Sequence, residues 1–213
     1  IERHGVTDIK AVATDACRRA INSDDFVKRI YQETGLVIET IDAEREAELA
    51  FNGCSPLITG VADMDAPADR VLVFDIGGGS TEIAWTRQTN WRGKNGLAVA
   101  RDLAIHSIPF GVLTLSEQFD IEAICRDGFE HSVALIDRAI AEFDHCDDIA
   151  KCVAANHVQM VGTSGTVTTL AGIHKNLIRY VRRQIDGTHL DFADIERLSH
   201  EIAVMDPATR ARN

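Results

Sequence analysis

The chain has 213 residues, of which 45% are hydrophobic and 26% charged, and its formal net charge is -11. This length allows one large domain or two small lobes, and the composition is that of a soluble globular protein. The acidic balance leaves no broad basic surface, so we expect no nucleic acid as a partner, and no apolar run approaches the length of a membrane span.

The N-terminal stretch and the cysteines bear on where the protein works. The stretch "IERHGVTDIK" lacks the apolar segment of a signal peptide and reads as mid-fold sequence, so we expect a fragment of a longer chain. The five cysteines are scattered without CxxC spacing, which favours a reducing, cytoplasmic location.

The first part of the chain alternates predicted strands and helices. Ile9 to Ala13 is a β-prone run, and "NSDDFVKRIYQETG" predicts a helix that begins at Asn22 or Ser23 and ends at Gly35. "LVIETI" predicts a second strand, and "DAEREAELAFNG" a second helix that closes at Gly53. The prolines, glycines and small residues that follow predict a connection between lobes.

The second part adds hairpins to this alternation. Val71 to Phe74 is an apolar run typical of a strand buried on both faces, and "IAW" follows so soon that a hairpin is predicted across "GGGSTE". "LAVARDLAIHSIPF" continues in strand style, and "HVQMVG" predicts a later strand. An amphipathic helix is predicted from Phe129 to Phe143, and a last helix capped by Asp191. The class is α/β.

The stretch "VLVFDIGGGSTEIAW" carries the first chemical signal. It has neither the following helix of a dinucleotide motif nor the lysine of a Walker loop. Backbone N–H groups of glycines can turn toward one point and bind an anion, and nearby hydroxyls add donors. The predicted phosphate cradle is Gly77, Gly78, Gly79, Ser80 and Thr81.

Two carboxylates flank this turn. Asp75 and Glu82 would repel a phosphate unless a hard cation lay between them, so they predict a Mg²⁺ site. The alternative is a plain glycine-rich hairpin in which both carboxylates only hydrogen bond to the turn.

A second turn of similar composition lies in "QMVGTSGTVTTLAG". Its N–H groups and hydroxyls precede a predicted helix, where anions are favoured. The predicted phosphate contacts here are Gly162, Thr163, Ser164 and Gly165. A simple helix-capping turn is the alternative.

These motifs resemble the exopolyphosphatase and guanosine pentaphosphate phosphohydrolase (Ppx/GppA) family of the actin, sugar kinase and Hsp70 superfamily. "VFDIGGGSTEIAW" is similar to its second phosphate motif and "VGTSGTVTTLAGI" to its adenosine motif, and "AVATDACRRAINSDDF", "TGLVIETIDAEREAELAFNG" and "SIPFGVLTLSE" also match in order. The resemblance implies that Glu46 activates the attacking water and that Arg18 contacts phosphate. It also implies phosphate and Mg²⁺ binding around Asp75, Glu82 and the glycine turn.

The resemblance further implies a ribonuclease H-like (actin-like ATPase) fold, mainly its second lobe plus the end of the first. Residues 1–53 would end the first lobe and include the catalytic-glutamate helix, 54–70 would connect, and 71–213 would form the second lobe. The family's first phosphate motif is not found before Ile9, so we expect catalysis to require more chain.

The implied reaction is hydrolysis of a terminal phosphoanhydride of polyphosphate or guanosine pentaphosphate, in a full-length protein that we expect to be a homodimer. The basic stretch Arg179 to Gln184 is either a guide for a polyanion or an ordinary helix end. Two rival functions stay open: an ATP-dependent kinase of the superfamily, and a sensor that binds guanosine tetra- or pentaphosphate without turnover.

Overall fold

A computed structural model describes residues 5–58, 69–87, 102–118 and 126–205 of the chain. Strands and helices alternate as the sequence predicts, and the described residues form two sheets with helices packed on them. In chain order the elements are β1 (Ala11–Ala13), α1 (Asp15–Arg19), α2 (Ser23–Thr34), β2 (Ile38–Thr40), α3 (Ala43–Cys54), a 3-10 turn (Ser55–Leu57), β3 (Arg70–Ile76), β4 (Thr81–Arg87), β5 (Ala104–Ile108), α4 (Val112–Gln118), α5 (Arg126–Ala141), α6 (Cys146–Ala154), β6 (Val158–Thr163), α7 (Ser164–His174), α8 (Arg182–Ile185) and α9 (Phe192–Ala203).

The smaller sheet pairs β1 with β2 in parallel, and α1 and α2 connect the two strands. A parallel pair needs such a crossover because the chain must return to the same end of the sheet. Helix α2 follows Asn22 and ends at Gly35, whose φ of 72° is left-handed, and both predicted ends are confirmed. Helix α3 begins after Asp42, whose carboxylate accepts a hydrogen bond from the Arg45 amide, and it runs one residue past Gly53.

The larger sheet has four strands in the order β5-β4-β3-β6. Strands β3 and β4 are antiparallel and joined by residues 77–80, so the predicted hairpin is confirmed. Strand β6 pairs with β3 in parallel, and β5 pairs with β4 in antiparallel. The part of the predicted strand before residue 102 lies outside the described residues.

Two apolar clusters cover the two faces of this sheet. On one face, Phe51 and Cys54 of α3 pack against Val71, Val73 and Ala84. The other face carries a cluster with partly buried residues of α5 and α6 around it; its buried members are Leu72, Ile83, Trp85, Ile108 and Phe143. Because α3 packs directly on the four-stranded sheet, its polar side chains are held over the same face of that sheet.

Three details of the elements differ from the prediction. Helix α5 ends at Ala141, so Phe143, predicted as its last inward residue, lies in the following turn, where it is buried. Helix α4 was not expected from the sequence, and Thr163 belongs to β6 rather than to a separate turn. Among helices of the described ranges, none has the length and apolar character needed to cross a bilayer.

Candidate active site

Four polar residues form a row across one face of the four-stranded sheet. The strand register pairs Ser107 with Glu82, Glu82 with Asp75, and Asp75 with Thr163. Residues directly opposite one another on neighbouring strands point to the same face of a sheet. The two predicted metal ligands, Asp75 and Glu82, are therefore adjacent on a single surface.

The next layer of that face is apolar. Val73 pairs with both Ala84 and Val161, two residues further along the strands than the polar row. Side chains two residues apart share a face, so the apolar layer supports the polar row from the side of the core. On this face of the sheet, apolar core residues are therefore followed by polar residues only two positions further along each strand.

Helix α3 brings Glu46 to this row. Ala47 and Phe51 of α3 are each 1% exposed and face the sheet, and the helix contacts strands β3 to β6. Glu46 precedes Ala47 and lies close enough to Glu82 that its charge helps raise the pKa of that carboxyl. The predicted base and the predicted metal ligands therefore come together in the structure.

Arg18 holds Glu46 in place. Its guanidinium donates from one terminal nitrogen both to Glu46 Oε2, at 2.8 Å, and to the carbonyl of Ile41, at 2.9 Å. The side chains of Arg18 and Glu46 are 22% and 19% exposed, so water screens this ion pair only partly. A planar guanidinium with several fixed donors can bind a carboxylate and still present N–H groups to a phosphate.

The carboxylate of Glu82 is buried and held by two hydroxyls. The residue is 2% exposed, and its Oε1 accepts hydrogen bonds from Ser80, at 2.6 Å, and Ser107, at 3.1 Å. Burial raises the pKa of Glu82 above its ordinary value, and the charges of Glu46 and Asp75 act in the same direction, while both hydroxyls oppose them.

Asp75 has a similar environment. Burial raises the pKa of this carboxyl, and a hydrogen bond with the Ser164 side chain opposes the rise. Ser164 itself has φ of 78°, in the left-handed region that a serine seldom adopts. Strained backbone of this kind is often found at functional sites, and here it places a hydroxyl on a predicted metal ligand.

Helix α4 fixes the orientation of the glycine turn. The amides of Val112 and Leu113 donate to the carbonyls of Gly77 and Gly78, at 3.0 and 2.8 Å. The Thr114 hydroxyl lies 3.3 Å from the Gly79 carbonyl and 3.1 Å from the Gly111 carbonyl, and it can donate to either. In a trans peptide the N–H group points opposite to the carbonyl. The N–H groups of Gly78, Gly79 and Ser80 therefore point away from α4.

The other predicted members of the cradle are directed elsewhere. The Gly77 amide donates to the Ser80 carbonyl at 3.0 Å and closes the turn. The Ser80 hydroxyl proton is used on Glu82, and the Thr81 hydroxyl donates to the carbonyl of Phe110 at 2.8 Å. The groups of this turn that could bind an anion are therefore backbone amides rather than hydroxyls.

The four residues of the second glycine turn, 162–165, each make a different contact. A Cβ on Gly162 would lie 2.6 Å from the Phe74 ring, so this glycine makes room for packing. Thr163 hydrogen bonds to the thiol of Cys54, whose pKa is raised by burial. Ser164 hydrogen bonds to Asp75, and Gly165 lies in the first turn of α7.

In the basic stretch Arg179 to Gln184, Arg182 forms an ion pair with Asp186 at 3.0 Å.

Three contributors to the site were not expected from the sequence: Asp15, Ser107 and Gly111. Asp15 lies against Gly79, and its carboxylate is 3.9 Å from Arg18. A Cβ on Gly111 would lie 2.5 Å from the backbone of Gly77 and Gly78, so α4 reaches the turn only because this residue is a glycine. The motifs "TDACRRA" and "SIPFGVLTLSE" contain these residues, but neither spacing nor type marks them singly.

The donor set fits a hard divalent cation. Asp75 and Glu82 supply oxygen ligands from adjacent strands, and burial that raises the pKa of both would be offset by a positive charge. Within the described ranges no three His, Cys, Asp or Glu side chains form a metal cluster. Mg²⁺ commonly keeps several waters and takes one or two carboxylates together with substrate phosphates, so two carboxylates suffice.

A sequence model of the Ppx/GppA phosphatase family matches residues 1–212. The chain belongs to this family. The structure is similar to that of an exopolyphosphatase-like protein, with a TM-score of 0.79 and 27% sequence identity. The match covers 99% of this chain and 62% of that one. A Ppx/GppA family member from Aquifex aeolicus is also similar, over 99% of this chain and 60% of that one, with 24% identity and a TM-score of 0.69.

The comparison extends to a bifunctional protein. The bifunctional 3-dehydroquinate synthase/phosphatase of Fusobacterium nucleatum is 25% identical over 198 residues, which cover 92% of this chain and 27% of that protein. The chain therefore spans about three-fifths of its solved relatives and a quarter of this curated one. The expected actin-like ATPase type of α/β fold is confirmed by these Ppx/GppA neighbours.

Proposed function

We propose that this chain carries the hydrolytic centre of a phosphohydrolase that removes the terminal phosphate of inorganic polyphosphate or guanosine pentaphosphate. The observation that carries the proposal is the convergence of Glu46, held by Arg18 at 2.8 Å, with the carboxylates of Asp75 and Glu82 beside the glycine turn. Membership of the Ppx/GppA phosphatase family supports the reaction class.

Each group has a defined task in this reaction. The amides of Gly78, Gly79 and Ser80 bind the terminal phosphoryl oxygens, and Arg18 adds positive charge beside them. Glu46 orients a water and takes its proton as the new oxygen–phosphorus bond forms and the bridging bond to the leaving phosphate breaks. Bound at Asp75 and Glu82, Mg²⁺ would supply charge neutralisation for the phosphoryl oxygens.

Glu46→Gln tests this assignment in the full-length protein. The amide keeps the shape of the side chain but cannot take a proton, so phosphate release with Mg²⁺ should fall by about 10²- to 10⁴-fold, the contribution typical of a general base. Binding of tripolyphosphate should persist. Glu44→Gln is the matched control, because Glu44 is exposed on the same helix and its loss of charge should leave the rate unchanged.

The same assay separates the rivals. Release from polyphosphate without ATP excludes the kinase, and comparing polyphosphate with guanosine pentaphosphate at equal terminal-phosphate concentration identifies the substrate. Tight binding of guanosine pentaphosphate with no release in the presence of Mg²⁺ would instead establish the sensor and contradict the hydrolase. A Glu46→Gln protein as fast as wild type would remove Glu46 from the mechanism.

A further inference from the structure

The carboxylate of Glu82 is held asymmetrically. Ser80 and Ser107 both donate to the same oxygen, Oε1, at 2.6 and 3.1 Å. A hydroxyl has a single proton, so neither serine has a proton left for Oε2. Because a carboxylate oxygen carries two lone pairs, the two hydroxyls together fill the accepting capacity of Oε1. The two oxygens of Glu82 therefore differ, since both serines engage Oε1 and neither engages Oε2.

The two donors belong to different parts of the fold. Ser80 is the last residue before β4, at the end of the glycine turn, and it is buried. Ser107 lies in β5, directly opposite Glu82 in the antiparallel register. Two donors that approach one oxygen from different elements restrict the last torsion of the side chain, which is otherwise broad in glutamate. The plane of the Glu82 carboxylate is therefore set by the sheet as well as by the turn.

The strand order places Ser107 and Asp75 on opposite sides of Glu82. Strand β4 lies between β5 and β3, so Ser107 is the neighbour of Glu82 on one side and Asp75 is its neighbour on the other. All three side chains share one face of the sheet, because residues opposite one another on neighbouring strands do so. The Ser107 hydroxyl thus engages Glu82 from the side away from the other predicted metal ligand.

Cations of different size use a glutamate differently. Mg²⁺ is small, demands near-octahedral geometry and keeps several waters, so one oxygen from each of two carboxylates suffices. Ca²⁺ takes about six to eight oxygens in a flexible geometry, and a carboxylate can give it both oxygens. A glutamate with one oxygen engaged by two hydroxyls has one oxygen to offer, which suits the smaller ion.

Resting on the proposed function, we propose that Ser107 is a positioning residue that selects Mg²⁺ over Ca²⁺ at Asp75 and Glu82. Together with Ser80 it keeps Oε1 of Glu82 hydrogen bonded, so that only Oε2 binds the cation that Asp75 shares. Without the Ser107 hydroxyl the carboxylate can turn and offer both oxygens. Ser107 acts through Glu82 and contacts neither the phosphate nor the attacking water.

Calorimetry with each metal alone, on the full-length protein, tests this role without turnover. Ser107→Ala should bind Mg²⁺ about 10- to 100-fold more weakly than wild type, the cost typical of removing a hydrogen-bond partner of a metal ligand. Its dissociation constant for Ca²⁺ should stay within about threefold of the wild-type value, because the freed Oε1 can become a second ligand for the larger ion. The ratio of the two constants is the readout, since a general loosening of the site would weaken both metals alike.

Three further variants sharpen the test. Ser107→Thr keeps a hydroxyl on β5 and should restore the wild-type ratio. Ser80→Ala removes the other donor to Oε1 and should shift the ratio in the same direction as Ser107→Ala, so the inference can still be overturned if Ser107→Ala does not fold. Ser116→Ala is the matched control: its hydroxyl donates to the Leu113 carbonyl within α4 at 2.7 Å, and both affinities should stay at the wild-type values.

The outcomes separate this inference from the proposed function. Unchanged Mg²⁺ affinity in Ser107→Ala, or equal losses for the two metals, overturns the inference alone if wild type releases phosphate. The expected change in ratio, without phosphate release by wild type, supports the inference and contradicts the hydrolase. Binding of neither metal by wild type overturns the inference, and phosphate release in EDTA would then remove the cation from the proposed reaction as well.

Discussion

At the residue scale, Glu82 is a buried carboxylate whose ionisation carries an energetic penalty in the folded protein. Burial raises its pKa in the folded protein, and the charges of Glu46 and Asp75 add to that rise. In the unfolded chain a glutamate has a pKa of about 4.3. The folded state therefore binds a proton more tightly than the unfolded state, so this group's contribution to stability is present at low pH and is lost as the pH rises through the folded pKa.

Glu82→Gln should make this penalty visible. Its amide oxygen can still accept from Ser80 and Ser107, but it carries no charge. In EDTA at pH 8 the variant should melt at a higher temperature than wild type. Each kcal/mol gained in the free energy of unfolding should raise the melting temperature by about 2–4 °C. The difference should shrink as the pH falls toward the unfolded pKa. Exposed Glu44→Gln should show no such trend, and a constant offset for Glu82→Gln from pH 5 to 8 would contradict the assignment.

Ser164 gives a second prediction at this scale. Its left-handed φ of 78° costs a non-glycine residue about 1–2 kcal/mol, and its side chain hydrogen bonds to Asp75. Ser164→Gly should remove the strain, whereas Ser164→Ala should keep it and lose the hydroxyl. We therefore expect the glycine variant to be the more stable of the two by about 1–2 kcal/mol in urea unfolding. Equal stabilities would show that the backbone at Ser164 is unstrained.

The sequence predicts candidate site residues whose type is unusual where they stand, but it does not single out residues whose contacts depend on a distant neighbour. Asp75 and Glu82 flank three glycines, so their chemistry is visible locally. Asp15 stands in an ordinary helical segment, and only the fold brings it against Gly79. Nothing in the local sequence around either residue indicates that contact. For the same reason the hydroxyls of Ser80 and Thr81 were expected at the phosphate, whereas the fold supplies them with nearer acceptors.

At the element scale, the junction between α4 and the glycine turn is the feature that most constrains the site. Gly111 precedes α4 and touches the backbone of Gly77 and Gly78, which cannot move aside as a flexible side chain would. The orientation of the turn's amides depends on this contact, because the first amides of α4 donate hydrogen bonds to the carbonyls of Gly77 and Gly78.

Gly111→Ala should therefore destabilise the protein by about 1–3 kcal/mol, the usual cost of overpacking, and weaken tripolyphosphate binding together with it. Gly53→Ala is the matched control: nothing lies within 4 Å of a Cβ there, and an alanine within α3 should stabilise by about 0.5–1 kcal/mol. Urea unfolding and calorimetry measure both effects. Wild-type binding by Gly111→Ala would mean that α4 does not orient the turn.

The elements themselves were predicted where periodicity and end signals agreed. The β3–β4 hairpin, α2 with its glycine stop, and the Asp191-capped α9 were all visible locally. Helix α4 was not, because its seven residues are too few to show a helical period, and its start is fixed by carbonyls of the turn rather than by a capping side chain. Strand pairing with β6 was equally beyond the sequence, since it joins segments separated by several helices.

At the scale of the whole molecule, an acidic chain gathers carboxylates where it is proposed to bind a polyanion. The net charge is -11, and Asp15, Glu46, Asp75 and Glu82 all lie near the glycine turn, where Arg18 pairs with Glu46 and, at 3.9 Å, with Asp15. Repulsion among these groups destabilises the folded state, and a phosphate would add to it. A divalent cation reverses both effects at once, so metal binding and folding should be coupled.

Mg²⁺ should therefore stabilise the wild-type protein and act through Asp75 and Glu82. A ligand present at about 100 times its dissociation constant stabilises by about 2.7 kcal/mol, which corresponds to a rise of about 5–10 °C in melting temperature. The double variant Asp75→Asn/Glu82→Gln should melt above wild type in EDTA, since the buried charges are gone, and should gain nothing from Mg²⁺. The two melting curves should thus change order when the metal is added. A variant that gains as much as wild type would place the cation elsewhere in the molecule.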